Sequence, residues 1–324
     1  MFETLTIFST PPRDLPWQLA VFSLGAAFVF GALWGSFLNV VIARVPLRES
    51  VVTPRSRCPS CGTQIEARDN VPMLSWLLLR AKCRHCGARI SARYPFVEFL
   101  GALAGAAVVA RFGWSLAALE LFVFTLTLVA ISFVDLDWFI VPGELFVALL
   151  VSGLGLGALR AWLVGADVLG GLSWSAYGDR VIGGVGAGLM LGAIIVLSTA
   201  VIRRFFPQRL PDGEDAMGWG DPQILVGIGV HVGWQLVPLV LFVASFVGAI
   251  VGIAAKMSGK LKDRAPIELP GEEPWTPPDD AVPFGPFLAV GGLVAAFFGD
   301  ALLDRLLPLL GLGADGALAT AIGL

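Results

Sequence analysis

Leu116 to Val134, LAALELFVFTLTLVAISFV, runs for 19 residues with one charge, Glu120, and then turns polar in Asp135-Leu136-Asp137-Trp138. A run of that length can cross a bilayer, since about 20 residues at 1.5 Å each cover about 30 Å of hydrocarbon. Read as a span, it sets the class of the whole chain and leaves two carboxylates at a membrane surface.

The composition agrees. Hydrophobic residues make up 56% of the 324 and charged residues 15%, with a mean hydropathy of +0.80, far more apolar than a soluble domain. The expected fold is an all-α polytopic membrane protein of about eight transmembrane helices in a lipid bilayer. A net charge of -3 and a pI near 5.5 give no nucleic-acid footprint.

Upstream of the opening stretch, Trp17 to about Val41 reads as a retained first span, because no short basic signal precedes it. Pro95 to Ala110 is a short second span carrying Glu98, and Phe112-Gly113 offers a turn. Between them, from Arg44 to Arg93, lie ten Lys and Arg against three Asp and Glu. That excess, in a short loop, places the loop in the cytoplasm by the positive-inside rule. Asp135 and Asp137 then emerge on the same side.

Downstream, a break at Pro142-Gly143 precedes a fourth span to about Leu159, and Arg160 to Arg180 reads as an external segment. Val181 to Ile202 is the fifth span, ended inside by Arg203, Arg204 and Arg209. Ile224 to Ala255 would be about 48 Å as one helix, too long for the bilayer. Basic residues from Lys256 to Arg264 require an even number of crossings, so the run breaks near Gly233-Trp234 into a short sixth and a normal seventh span. Arg264 to Pro283 reads as a mobile, acidic, Pro-rich linker, Phe284 to Gly299 is the eighth span, and residues 301–324 form an apolar tail.

All four cysteines lie in the basic loop, as Cys58-Pro59-Ser60-Cys61 and Cys83-Arg84-His85-Cys86. Two Cys-x-x-Cys pairs supply the four thiolates of a closed tetrahedral zinc site, a structural rather than a catalytic metal. A reducing compartment argues against disulfides. No βαβ pattern supports a redox motif, and His85 reads as a solvated loop residue.

Charge bordering a span is costly and so marks a functional candidate. Asp221, in Met217-Gly218-Trp219-Gly220-Asp221, opens a span on the side where Asp135 closes one, and Gly218 and Gly220 leave room for an extended chain to approach. Two such carboxyls can share a proton, one activating water while the other polarises a carbonyl. The plain alternative for Asp221, with Pro222 behind it, is a helix N-cap. Asp137 and Glu144 read as solvating the turn, and Glu98, Glu120 and His231 as groups satisfied inside the bundle.

Gly35-Ser36-Phe37-Leu38-Asn39-Val40-Val41-Ile42-Ala43-Arg44, the cysteine loop with Asn70-Val71-Pro72-Met73-Leu74-Ser75-Trp76 and Ile90-Ser91-Ala92-Arg93-Tyr94-Pro95, and Pro283-Phe284-Gly285-Pro286-Phe287-Leu288 together resemble the bacterial type IV prepilin peptidases. These are membrane aspartic proteases of the GxGD class. The resemblance implies removal of the basic leader of prepilin or pseudopilin substrates after a glycine, at the cytoplasmic face of the bacterial inner membrane. It maps the catalytic pair onto Asp135 and Asp221. It also implies N-methylation of the new amino terminus with S-adenosylmethionine, an activity associated with the cysteine-loop region. The chain departs from the family pattern at Gly143, where an aspartate is usual, and at Pro222 and Gln223, the latter where a lysine is usual.

The implied organisation is a first transmembrane helix over 1–44, a cytoplasmic zinc-binding loop domain over 45–94, a membrane aspartic peptidase domain over 95–300 and the tail over 301–324. The dipoles of the two flanking helices favour negative charge at Asp221 and disfavour it at Asp135, so Asp221 is expected to activate water and Asp135 to hydrogen-bond the scissile carbonyl. Asp212, Glu214 and Asp215 are candidates for leader recognition. A proton- or ion-coupled transporter using Asp135 and Asp221, and an inactive metal-loop scaffold, are the competing readings.

Overall fold

The computed structural model describes residues 10–163, 172–209, 215–258, 265–271, 273–278 and 281–309. Among them the chain is helical, with three isolated β-bridges and no strand. Seven helices are long and apolar enough to cross a membrane. We number the helices α1 (Trp17–Arg44), α2 (Arg93–Phe112), α3 (Leu116–Trp138), α4 (Gly143–Trp162), α5 (Trp174–Phe205), α6 (Gly220–Val232), α7 (Val237–Met257) and α8 (Gly285–Leu309). Helix α6 is not among those seven, since its 13 residues reach only about 20 Å; a further helix, Leu74–Leu78, is five residues long. Helix α6 lies where a short sixth span was expected but is too short to cross about 30 Å of hydrocarbon as a straight helix, and Gly233, with a φ of 83°, separates it from the turn into α7.

The chain forms two compact units, Met1–Ser173 with Arg264–Pro278, and Trp174–Asp263 with Asp279–Leu324. In the first, α1 and α2 meet backbone to backbone through glycines spaced four apart. A Cβ on Gly31 would lie 2.2 Å from the Gly101 carbonyl oxygen, and one on Gly105 would lie 2.3 Å from that of Ala27. Only glycine allows this approach, which replaces the hydrophobic drive that lipid cannot supply. Helix α3 is apolar all round and accordingly interior, with Phe124, Leu128, Ala130, Ile131 and Val134 fully buried. Helix α4 is π-wound from Val151 to Leu156, where Ser152 donates to the Leu149 carbonyl.

In the second unit, the same device joins α5 to α6. A Cβ on Gly183 or on Gly229 would fall 2.6 Å from backbone of the facing helix or its turn. Helices α7 and α8 close at Gly291, 2.4 Å by the same measure from the Val240 carbonyl oxygen.

Four expectations change. Arg160 is not an external loop residue: it lies buried in α4, its guanidinium bonded to the buried Glu120 of α3. A charge at that depth needs a partner, which the run of sequence around either residue cannot name. The fifth span starts at Trp174, seven residues ahead of the expected Val181, and α8 runs ten residues past Gly299. The described residues 265–271 and 273–278 are also not without structure of their own: Ile267 and Trp275 exchange backbone hydrogen bonds at 2.7 and 3.0 Å, and the Trp275 ring meets Phe139 edge-on at 5.7 Å. Residues 310–324 of the tail lie outside the described residues.

Candidate active site and metal centre

The metal centre is built from a repeated turn. Each Cys-x-x-Cys pair is followed by a glycine with positive φ, Gly62 at 69° and Gly87 at 70°. The carbonyl of the first cysteine of each pair accepts from its glycine amide at 2.9 Å, as Cys58 does from Gly62 and Cys83 from Gly87. Antiparallel bridges, Arg57 with Gln64 and Lys82 with Arg89, close both turns. The four sulfurs lie within 4.8 Å of one another, and the Cys58 and Cys86 Sγ atoms are 3.8 Å apart. Tetrahedral ligands at about 2.3 Å from zinc would stand about 3.8 Å apart, so the donor set fits that metal. All four are free thiols.

The protonation of these sulfurs points the same way. The Thr63 hydroxyl, and then its amide, draw Cys61 down to about 6, and the Cys86 and His85 amides lower Cys83. Cys86 is pulled down by the Ala88 amide, but desolvation and the neighbouring sulfurs outweigh it and hold it up at about 11. Thiolates crowd one another, and a cation among them relieves the repulsion.

Polar side chains moor this loop to the helices. Glu98 of α2 accepts from the Met73 amide at 2.6 Å, and within the loop Trp76 donates to the Ile90 carbonyl. Asn39 of α1 donates to the Tyr94 carbonyl at 3.1 Å. Asp69 holds Arg84 through two short bonds, and that guanidinium keeps the Asp69 carboxyl below the usual carboxylate range. Between loop and helices lies a cavity of about 510 Å³, lined in part by Asn39, Arg44, Trp76, Tyr94 and Glu98.

Asp135 sits in the last turn of α3, where it is 7% exposed. Two residues on, Asp137 is engaged elsewhere: Arg93, at the start of α2, grips it at 2.6 and 2.8 Å while stacking over Phe133. That pair fixes the end of α3 beside the end of α2 that carries the cysteine loop. Asp135 and Asp137 look alike in the sequence, and only this ion pair separates a surface tether from a buried carboxyl. Phe139 ends α3 in the left-handed region, its amide bonded to the Asp135 carbonyl.

In the second unit, Asp221 is half-buried in the first turn of α6. The N-cap reading is overturned: the helix begins at Gly220, Trp219 occupies the cap with helical dihedrals, and no side chain caps it. Asp221 is inside the helix, where the amino-end dipole still favours its charge. The approach to it is fixed by Thr199 of α5, which accepts from the Ala216 amide at 2.8 Å, and by Trp219, which donates to Asp215. Gly218 is exposed, and a Cβ there would meet nothing within 4 Å. Packing within the structure does not require glycine at that position. Asp212 and Glu214 lie outside the described residues.

His231 is buried in α6 with Nδ1 2.7 Å from the Gly227 carbonyl oxygen, in keeping with its expected structural part. The sequence reading missed the paired glycines after each cysteine pair and the mooring role of Glu98. The first was visible as the repeated Cys-x-x-Cys-Gly; the second had no local signal.

Two family profiles match the chain, the bacterial peptidase A24 N-terminal domain over residues 29–112 and the type IV leader peptidase family over residues 122–253. A prepilin leader peptidase/N-methyltransferase of Aeromonas hydrophila is 36% identical, covering 90% of this chain and 94% of its own. Proteins of the same name from Myxococcus xanthus and Burkholderia pseudomallei are 34% and 33% identical, covering 87% and 85% of this chain and 91% and 85% of their own. No solved structure matches.

Proposed function

We infer the function from one premise: the chain belongs to the type IV leader peptidase family. It is a multi-pass membrane peptidase that removes the leader of prepilins and N-methylates the new amino terminus. The transporter reading draws no support from the comparisons.

The catalytic pair we propose is Asp135 with Asp221, working at the cytoplasmic face. The observation that carries it is the divergent placement of the neighbouring acids, Asp135 buried in α3 and Asp137 tied to Arg93. Asp221, at the positive end of α6, takes a proton from water. Asp135 hydrogen-bonds the scissile carbonyl and protonates its oxygen as water adds, then takes that proton back as the C–N bond breaks, while Asp221 passes the proton taken from water to the leaving amine. The open flank at Gly218, with Gly220, admits the extended substrate. We assign zinc to Cys58, Cys61, Cys83 and Cys86, holding the 45–94 loop domain together without touching the peptide bond.

For methyl transfer, the 510 Å³ cavity beneath the cysteine loop has the size and mixed lining of a small-molecule site. Trp76 and Tyr94 would face the adenine of S-adenosylmethionine, and Asn39 and Glu98 would orient its polar end. When bound, the cofactor supplies an electrophilic methyl group.

Leader release by the purified protein in detergent tests the pair. Asp135→Asn and Asp221→Asn should each abolish cleavage in a protein that stays folded and metal-loaded. Because the two act as a unit, the double variant should be no slower than either. Two partial losses that multiply in the double variant would break the pairing.

A further inference from the structure

The first unit carries a second cavity, of about 730 Å³, that neither proposed reaction uses. One wall is the α3–α4 turn, Ile140 to Glu144 with Val147; the facing wall is Val45, Pro46 and Arg48 beyond α1; the roof is Leu269 and Pro270. The roof belongs to a hairpin strap closed by the Ile267 and Trp275 bridge and turned at Gly271, with φ 82°. Trp275 anchors that strap on Phe139, the residue whose amide caps the Asp135 carbonyl. The cleft therefore begins where the Asp135 helix ends.

We propose that this cleft is the subsite for the polar leader segment of the substrate, an extended peptide bearing Lys or Arg, with Glu144 reading the positive charge. The proposal rests on the peptidase reading above. Apolar Val45, Ile140, Val147 and Leu269 make a floor for side-chain stems, exposed Glu144 stands on the rim with Arg48, and the strap that supplies Leu269 and Pro270 also bears the exposed Glu268 and Glu273. A basic side chain lays its methylenes on such a floor and its charge on such a rim. The strap is the positioning element: held through Phe139, it sets the leader's register relative to the carboxyl one turn upstream.

A charge swap tests this. The substrate is a prepilin with a basic leader, paired with a version whose leader Lys and Arg are replaced by Glu. Glu144→Lys should raise KM for the basic leader about fivefold or more, leave kcat within about twofold, and lower KM for the acidic leader. Glu144→Gln should fall between, and Trp275→Ala should raise KM for both leaders alike. A photo-crosslinker at position 269 in the Asp221→Asn background should capture the leader and not the apolar segment after it. Unchanged KM values with normal cleavage, or capture of lipid alone, would overturn the subsite and leave the peptidase standing. If the wild-type protein releases no leader from either substrate, the peptidase reading fails, and this inference with it.

Discussion

Asp135 and Asp137 are two residues apart in one helical turn, yet replacing each by Asn should give losses that differ by well over tenfold. Asp137 makes two bonds to Arg93, at 2.6 and 2.8 Å, with both side chains 36% exposed. An ion pair that wet contributes at most about 1 kcal/mol. Were all of it felt in the transition state, cleavage would slow about fivefold, since about 1.36 kcal/mol is tenfold. Arg93→Ala should cost more than Asp137→Asn, because the guanidinium also bonds the Phe133 carbonyl and stacks 4.8 Å from the Phe133 ring, a contact of about 0.5–1 kcal/mol. Asn at 135 keeps the shape of the side chain and removes its proton, and positioned proton transfer contributes about 10²–10⁴ in rate. Initial rates of leader release from a prepilin in detergent, at saturating substrate, read both. The reasoning is refuted if Asp137→Asn falls as far as Asp135→Asn, or if Asp135→Asn keeps more than about a tenth of wild-type kcat.

Packing and the thiols set three further outcomes. Gly101→Ala should lower stability by about 1–3 kcal/mol, because its Cβ would meet the Gly31 carbonyl oxygen at 2.5 Å and that neighbour is backbone; Gly25→Ala, with nothing within 4 Å, should not, and thermal unfolding in detergent compares them. Glu120→Gln removes the carboxylate charge paired with the buried Arg160 and should cost about 3–5 kcal/mol, while Glu120→Leu with Arg160→Met should recover most of it in the same assay. Cys61→Ser should lose the bound metal, read by elemental analysis, and should reduce methyl transfer far more than leader cleavage.

Membrane class, the order of the long apolar helices, the break at Gly233 and the four-thiol centre were legible in the sequence, because each is a local property. Hydrophobic length must match the bilayer, a glycine must take a positive φ, and ligands from a tight turn must be close in the chain. Which carboxyl is buried was not local. Asp135 and Asp137 share a turn, and only Arg93, 44 positions upstream of Asp137, draws one of them to the surface. The same holds for Arg160, which a one-dimensional reading puts at a loop because charge belongs in water, and which the fold buries because Glu120 is waiting on the neighbouring helix. The strap at 265–278 looked like a linker by its prolines and acids, and became a wall of a cleft through Trp275 meeting Phe139, 136 positions away. Composition determines what a segment can tolerate; the partner that decides its part arrives from elsewhere in the chain, and only packing supplies it.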